Sequence, residues 1–133
     1  MEFIGTMILA VAIVGSGHMA ASLAQDGGVR LLINALATAV GLAVVIKVGM
    51  KTSGAHFNPA VTLVMVILKK ISNELAGLYI AAQVLGAILG VGIANLIYDQ
   101  SFLKQSLIIR DGSNLFFSEL FATAVLLLII LTF

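Results

Sequence analysis

A short segment near the middle of the chain combines residue types that could do chemistry at an unusual place. Residues 53–63 read Ser-Gly-Ala-His-Phe-Asn-Pro-Ala-Val-Thr-Leu, and Pro59 is the only proline in the sequence. Asparagine is among the best N-cap residues, and proline is best tolerated at the first position of a helix. The pair Asn58-Pro59 therefore predicts a helix that is capped by Asn58 and begins at Pro59.

This predicted helix is too short to cross a membrane. Residues 59–68 are rich in apolar side chains, and Lys69 and Lys70 end the run. At about 1.5 Å per residue the run covers about 15 Å, half of the roughly 30 Å hydrocarbon core. A helix that begins at the midplane has its positive dipole end inside the membrane. Irregular backbone is tolerated there only inside protein or beside a water-filled cavity, so the segment predicts a pore.

The composition places these residues in a membrane protein. Of 133 residues, 61% are hydrophobic and 10% are charged, and the mean hydropathy is +1.17. Soluble domains carry about 25% charged residues. A formal charge of +1 argues against a nucleic-acid partner. The sequence has no cysteine, and no catalytic or phosphate-binding motif is present, so we expect neither an enzyme nor a cofactor nor a metal site.

Apolar runs predict an all-α, multi-pass protein embedded in the lipid bilayer. The first residues lack the positive charge of a cleavable signal peptide, so we expect the first span to be retained. Short loops place lysines on both sides of the half-helix, which predicts that the N-terminus and the half-helix entry are cytoplasmic. The predicted elements are four spans, at 3–23, 31–50, 74–98 and 115–133, a half-helix at 59–68, and polar loops at 24–29 and 99–114.

A spacing of glutamate and threonine occurs twice. Glu2-x-x-x-Thr6 opens the first span and Glu119-x-x-x-Thr123 lies in the fourth, as expected of an inverted repeat. Carboxylates within apolar spans face the bundle interior and need partners. A solvated terminal charge is the alternative for Glu2. Glu119 lies five residues inside its predicted span, so we expect it to be buried.

Four motifs resemble the major intrinsic proteins, the aquaporin and glycerol-facilitator family. Residues 53–63 are similar to its first signature loop, and the other three segments, 2–6, 79–87 and 117–123, are similar to its first, third and fourth helices. Small residues at four-residue spacing, such as Ala82, Gly86 and Gly90, fit a compact bundle.

The resemblance implies an aquaporin-like bundle of four transmembrane helices and one re-entrant half-helix. Residues 1–114 would form the first repeat, with the re-entrant loop at 51–68, and residues 115–133 the first helix of an incomplete second repeat. The family's second Asn-Pro-Ala motif and its filter arginine do not occur in this sequence.

The resemblance also assigns roles to individual residues. For Asn58 the alternative is helix capping alone, for His56 a local hydrogen bond, and for Thr38 ordinary helix packing. The implied residues are the pore motif Asn58, Pro59 and Ala60; the pore wall Gly54, Ala55, His56 and Phe57; the constriction residue Thr38; and the loop-bracing residues Glu2, Gln83 and Glu119.

Together these features predict a passive channel for water and small neutral solutes. The small Thr38 suggests that glycerol-sized solutes pass, and the resemblance implies a homotetramer in the plasma membrane. The alternative is an incomplete, non-conducting chain that acts within a larger membrane assembly. Within transport, an ion-driven transporter is the second alternative, and it would need a buried coupling carboxylate, for which Glu119 is the only candidate.

Overall fold

The computed structural model describes residues 1–104 and 111–132, and within them the chain forms five α-helices and no β-strand. All except the third are long and apolar enough to cross a membrane. The prediction of an all-α membrane protein with four spans and a half-helix is confirmed. The helices are α1 (Glu2–Leu23), α2 (Gly27–Ser53), α3 (Pro59–Ile67), α4 (Asn73–Ile97) and α5 (Ser113–Thr132).

Helix α2 is longer at both ends than the predicted 31–50. Its N-cap is Asp26, whose side chain accepts from the Val29 N–H at 2.9 Å, so Gly27 and Gly28 of the predicted loop at 24–29 are the first helical residues. At the other end Gly54 adopts the left-handed conformation with φ of 79°. The predicted re-entrant loop therefore loses its first three residues to α2, because the helix continues to Ser53 and ends only at the left-handed Gly54.

Helices α1 and α4 approach so closely that glycine is required between them. A Cβ atom added at Gly86 would lie 2.3 Å from the Phe3 carbonyl oxygen, and one at Gly90 would lie 2.4 Å from that of Met7. Small residues at such a seam let backbones pack directly in a membrane. Helix α1 also packs along α2.

The half-helix α3 packs against α4 and ends in a Schellman motif. The Lys70 N–H donates to the Met65 carbonyl and the Lys69 N–H to the Val66 carbonyl, both at 2.8 Å. Lys69 has φ of 56°, a left-handed conformation that glycine usually adopts at this position. The turn directs the chain straight into α4.

Helix α5 differs from the other long helices because it buries none of its residues. It begins at Ser113, slightly before the predicted start at 115, and is described as far as Thr132. The predicted polar loop at 99–114 falls partly on residues 105–110, which lie outside the described residues, as does Phe133. The core of the fold therefore lies among α1, α2, α3 and α4.

Candidate functional site

The start of α3 is built as the sequence predicts. Asn58 is the N-cap, with φ of −152°, and its Oδ1 accepts from the Ala60 N–H at 2.8 Å. Pro59 occupies the first helical turn, where its missing N–H costs nothing. Within residues 1–104 and 111–132, the Asn58 Nδ2 group makes no hydrogen bond. The cap thus uses the oxygen of the amide and leaves its two N–H donors available.

The carboxylate of Glu2 holds the loop that leads into α3. Its Oε1 accepts from the Ser53 hydroxyl at 2.6 Å and from the His56 backbone N–H at 3.1 Å. Its Oε2 accepts from the Phe57 N–H and from Gln83 Nε2, both at 2.7 Å. Glu2 is only 3% exposed. Four donors offset the desolvation of this buried carboxylate and fix the loop to α1 and α4.

A second set of bonds meets at the hydroxyl of Thr62. Gln83 Nε2 donates to this oxygen at 3.0 Å, and the hydroxyl donates to the Asn58 carbonyl at 3.1 Å. His56 Nδ1 lies 3.1 Å from the same oxygen. Because the one hydroxyl hydrogen is directed to Asn58, these bonds assign the donor role to His56 Nδ1. One buried threonine thereby couples the loop, the half-helix and α4.

Tyr79 of α4 closes the site on the side where α2 ends. Its hydroxyl donates to the Ser53 carbonyl at 2.9 Å, which satisfies one of the unpaired carbonyls at the end of α2. Its ring meets the His56 ring edge-on, with centroids 5.3 Å apart. The His56 side chain is therefore held by Thr62 on one side and by an aromatic ring on another.

The Phe57 ring lies in a slot between α1 and α2. A Cβ atom added at Gly5 would lie 2.2 Å from this ring, and one at Gly49 would lie 2.5 Å from it. Phe57 is 5% exposed and has φ of 46°, in the left-handed region. The ring thus anchors the loop, and the strained backbone that carries it is held by packing and by Glu2.

Two cavities adjoin the loop and α3. The larger, of about 280 Å³, is bordered by Gly54, Ala55 and residues of α2, α3 and α5. The smaller, of about 100 Å³, is bordered by Ala55, His56, Phe57 and Asn58 and again by α5. The expected pore-wall residues therefore all border one or both cavities. No group of three His, Cys, Asp or Glu within the described ranges could hold a metal ion.

Comparison with known proteins places the chain in a family. All of residues 1–133 match the model of the major intrinsic protein family. The chain belongs to this family. The resemblance inferred from four sequence motifs is thereby confirmed.

Three members of the major intrinsic protein family show the extent of the match. Aquaglyceroporin AqpS of Rhizobium meliloti (strain 1021) is 40% identical over 118 residues, 89% of this chain and 51% of that protein. Probable aquaporin TIP3-2 of Oryza sativa subsp. japonica is 39% identical over 97 residues, which are 71% of this chain and 37% of that protein. Aquaporin-4 of Homo sapiens is 35% identical over 96 residues, which are 72% of this chain and 30% of that protein. The chain thus spans about half of the longest-matched relative and less of the others. No solved structure gives a significant match.

Two residues assigned through the family resemblance lie away from this site. Thr38 is half-buried on α2 and borders neither of the two cavities. Glu119 is exposed on α5, so the expectation that it is buried is wrong. The reason is that α5 buries none of its residues. Their roles as constriction residue and loop brace stay predictions.

Sequence reasoning missed three residues that complete the site of this family member. Ser53 donates to Glu2, Thr62 accepts from Gln83, and Tyr79 donates to the Ser53 carbonyl at the end of α2. For two of them the spacing could have predicted a place in the site, because Tyr79 precedes Gln83 by four residues and Thr62 follows Asn58 by four. Residues four apart share a helix face, so both lie beside a residue already singled out.

Proposed function

We propose that this member of the major intrinsic proteins contributes a half-helix to a passive channel for water and small neutral solutes. The observation that carries the proposal is the Asn58 cap at the edge of a cavity. Its Oδ1 is engaged by the helix, so the Nδ2 donors are the part of the side chain that a passing oxygen can meet. The positive end of α3 lies at the same point and disfavours cations there.

The rigidity of the loop supports the same proposal. A channel needs its polar groups at fixed positions, since each passing molecule exchanges hydrogen bonds with them in turn. The Glu2 carboxylate and the Thr62 hydroxyl hold the loop from two sides. A passive channel needs no coupling ion. Glu119, which the sequence offered as a coupling carboxylate, is exposed, and the buried Glu2 is engaged by four donors of the loop, α2 and α4. These features favour a channel over an ion-driven transporter.

For the solute we propose water together with molecules of glycerol size. Thr38 is a small residue at the place that the family resemblance gives to the constriction. The relative AqpS is named an aquaglyceroporin, which agrees with a wide opening. We further propose a homotetramer in the plasma membrane, with a cytoplasmic N-terminus and no enzymatic activity.

A second candidate function is that of a non-conducting component of a larger membrane assembly. It is favoured by α5, which borders both cavities with Ile130 yet buries none of its own residues. Because α5 lines the cavities without being buried itself, its outer face is available for packing against another protein segment. In this case the half-helix would conduct only when such a segment is present.

The test is stopped-flow light scattering on proteoliposomes that contain only this 133-residue chain. An Asn58→Asp variant keeps a good N-cap acceptor but removes the Nδ2 donors and adds a negative charge. Asn114→Asp is the matched control, since Asn114 is exposed in the first turn of α5. Sucrose gradients report water flow, and glycerol gradients report the entry of the larger solute.

Three outcomes separate the candidates. Fast shrinkage that is lost in Asn58→Asp and kept in Asn114→Asp supports a channel formed by this chain. Re-swelling in glycerol supports the wider opening, and its absence limits the solute to water. Rates equal to those of empty liposomes, for protein shown to be inserted and helical, contradict conduction by this chain alone. They favour the second candidate function, a component of a larger membrane assembly.

A further inference from the structure

A shallow groove, largely open to its surroundings, lies where the half-helix turns into α4. It is bordered by the last turn of α3 and the first residues of α4 and includes Lys69, Lys70, Ser72 and Glu74. Both lysines are exposed. The groove lies at the end of a transmembrane span, because α4 begins at Asn73. It therefore opens at the boundary between the hydrocarbon and the headgroups.

Large apolar side chains are exposed on both sides of the two lysines along the chain. Ile67 and Leu68 precede them in the chain and are 75% and 45% exposed. Leu75 and Leu78 of the first turns of α4 are 39% and 69% exposed. A free phosphate would gain nothing from these four residues. A phospholipid would place its headgroup against the lysines and its acyl chains along the apolar residues.

The charge around the groove is also suited to an anion. Lys69 and Lys70 outnumber Glu74, and the positive end of α4 lies beside that carboxylate. Lys51 adds an exposed cation at the same end of the bundle, since Tyr79 of α4 bonds to the neighbouring Ser53. Clustered lysines next to a transmembrane helix attract anionic lipids.

The backbone conformation of Lys69 also indicates a function for its side chain. Its φ of 56° is left-handed, and a glycine would adopt this conformation at lower cost. A lysine here is a worse choice for the fold than glycine, although it is a better one for presenting a cation. Strained positions of this kind are often found where a side chain has a function.

We propose that this groove binds the headgroup of an anionic phospholipid, with Lys69 and Lys70 on its phosphate. The inference concerns a surface away from the two cavities and does not depend on conduction. Lipid would bridge the turn after α3 and the first turn of α4. The half-helix and the span that supports it would thus be joined from outside as well as by hydrogen bonds within.

The test is native mass spectrometry of the full chain in mild detergent, titrated with phosphatidylglycerol or phosphatidylcholine. Lys69→Gly removes one cation while supplying the residue that the backbone favours, so its fold is expected to be at least as stable. Lys70→Gln removes the second cation. Lys104→Gln is the matched control, an exposed lysine bonded to Gln100 at the other end of α4. Inorganic phosphate serves as the competitor without acyl chains.

We expect phosphatidylglycerol to bind more tightly than phosphatidylcholine, and each groove variant to lose about fivefold in affinity. Lys104→Gln should stay within about twofold, and Glu74→Gln, which removes the opposing charge, should gain. Equal affinity for the two lipids would overturn the proposal, as would an equal loss in Lys104→Gln. Displacement of the lipid by millimolar phosphate would instead assign the groove to free anions. Since no transport is measured, none of these outcomes bears on the channel proposal.

Discussion

The two copies of the Glu-x-x-x-Thr spacing lie in very different surroundings. Glu2 is 3% exposed and accepts four hydrogen bonds from residues of α2, α4 and the loop. Glu119 is exposed on a helix that buries nothing. The same residue type at the same spacing therefore holds a structure together in one place and lies on a surface in the other. The first copy is thus part of the core formed by α1, α2, α3 and α4, and the second is outside it.

The largest effect that tests this contrast is expected from Glu2→Ala. The change removes the acceptor of two backbone N–H groups of the loop, of the Ser53 hydroxyl and of one of the two Gln83 hydrogen bonds. We expect a loss of about 3–5 kcal/mol in the free energy of unfolding, measured by SDS titration in mixed micelles. Glu119→Ala is the matched control, and its loss should be about 1 kcal/mol or less. Equal losses in the two variants would show that the contrast in burial is wrong.

A smaller effect is expected at the seam between α1 and α4. Gly86→Ala places a methyl group against the Phe3 carbonyl oxygen, which belongs to a helix backbone and cannot turn aside. We expect a loss of about 1–3 kcal/mol in the same titration. Gly77→Ala is the control on the same helix, since a Cβ atom there meets nothing within 4 Å. A stability for Gly86→Ala that matches Gly77→Ala would contradict the close packing of the seam.

Gln83→Leu should weaken the same region by about 1–3 kcal/mol, because Glu2 and Thr62 each lose a donor in a buried place. Hydrogen exchange at the His56 and Phe57 amides should speed up, since both donate to Glu2. A double-mutant cycle with Glu2→Ala should give a coupling energy above about 0.5 kcal/mol. Additive losses would mean that the two side chains act separately.

The smallest effect is expected on α5. Leu128 is 67% exposed, and Leu128→Ala should change the free energy of unfolding by about 0.5 kcal/mol or less. Val61 on α3 is 2% exposed, and Val61→Ala should cost about 1.5 kcal/mol. Unfolding in the same micelles compares the two directly. A larger loss for Leu128→Ala would show that α5 packs against the core more closely than its exposure indicates.

Much of this arrangement could be predicted from the sequence, because local signals determine it. The Asn58-Pro59 cap and the apolar runs predicted all five helices, and only the ends of α2 were misplaced by several residues. Capping by Asp26 and the C-cap at Gly54 extend that helix, and neither depends on periodicity. Glu2 and Gln83 were expected to brace the loop through the family resemblance, and the structure brings both to it.

What could not be predicted depends on how distant segments meet. The three bonds at the Thr62 hydroxyl join residues from α3, α4 and the loop, and no local pattern relates them. The same holds at the far end of the bundle. There His18 lies 3.0 Å from the Asn95 side chain, which donates to the Phe102 carbonyl. The exposure of Glu119 was missed because a repeat in sequence does not specify what packs against each copy.

The network around Glu2 also has a consequence for how the protein is made. The carboxylate at residue 2 is synthesised before its partners, which lie at residues 53, 56, 57 and 83. At about 5–20 residues per second, roughly 4–16 s of synthesis separate it from Gln83. During that time the loop lacks its last anchor. The half-helix can therefore take its final position only after α4 has entered the membrane, so its docking depends on a helix that follows it in the chain.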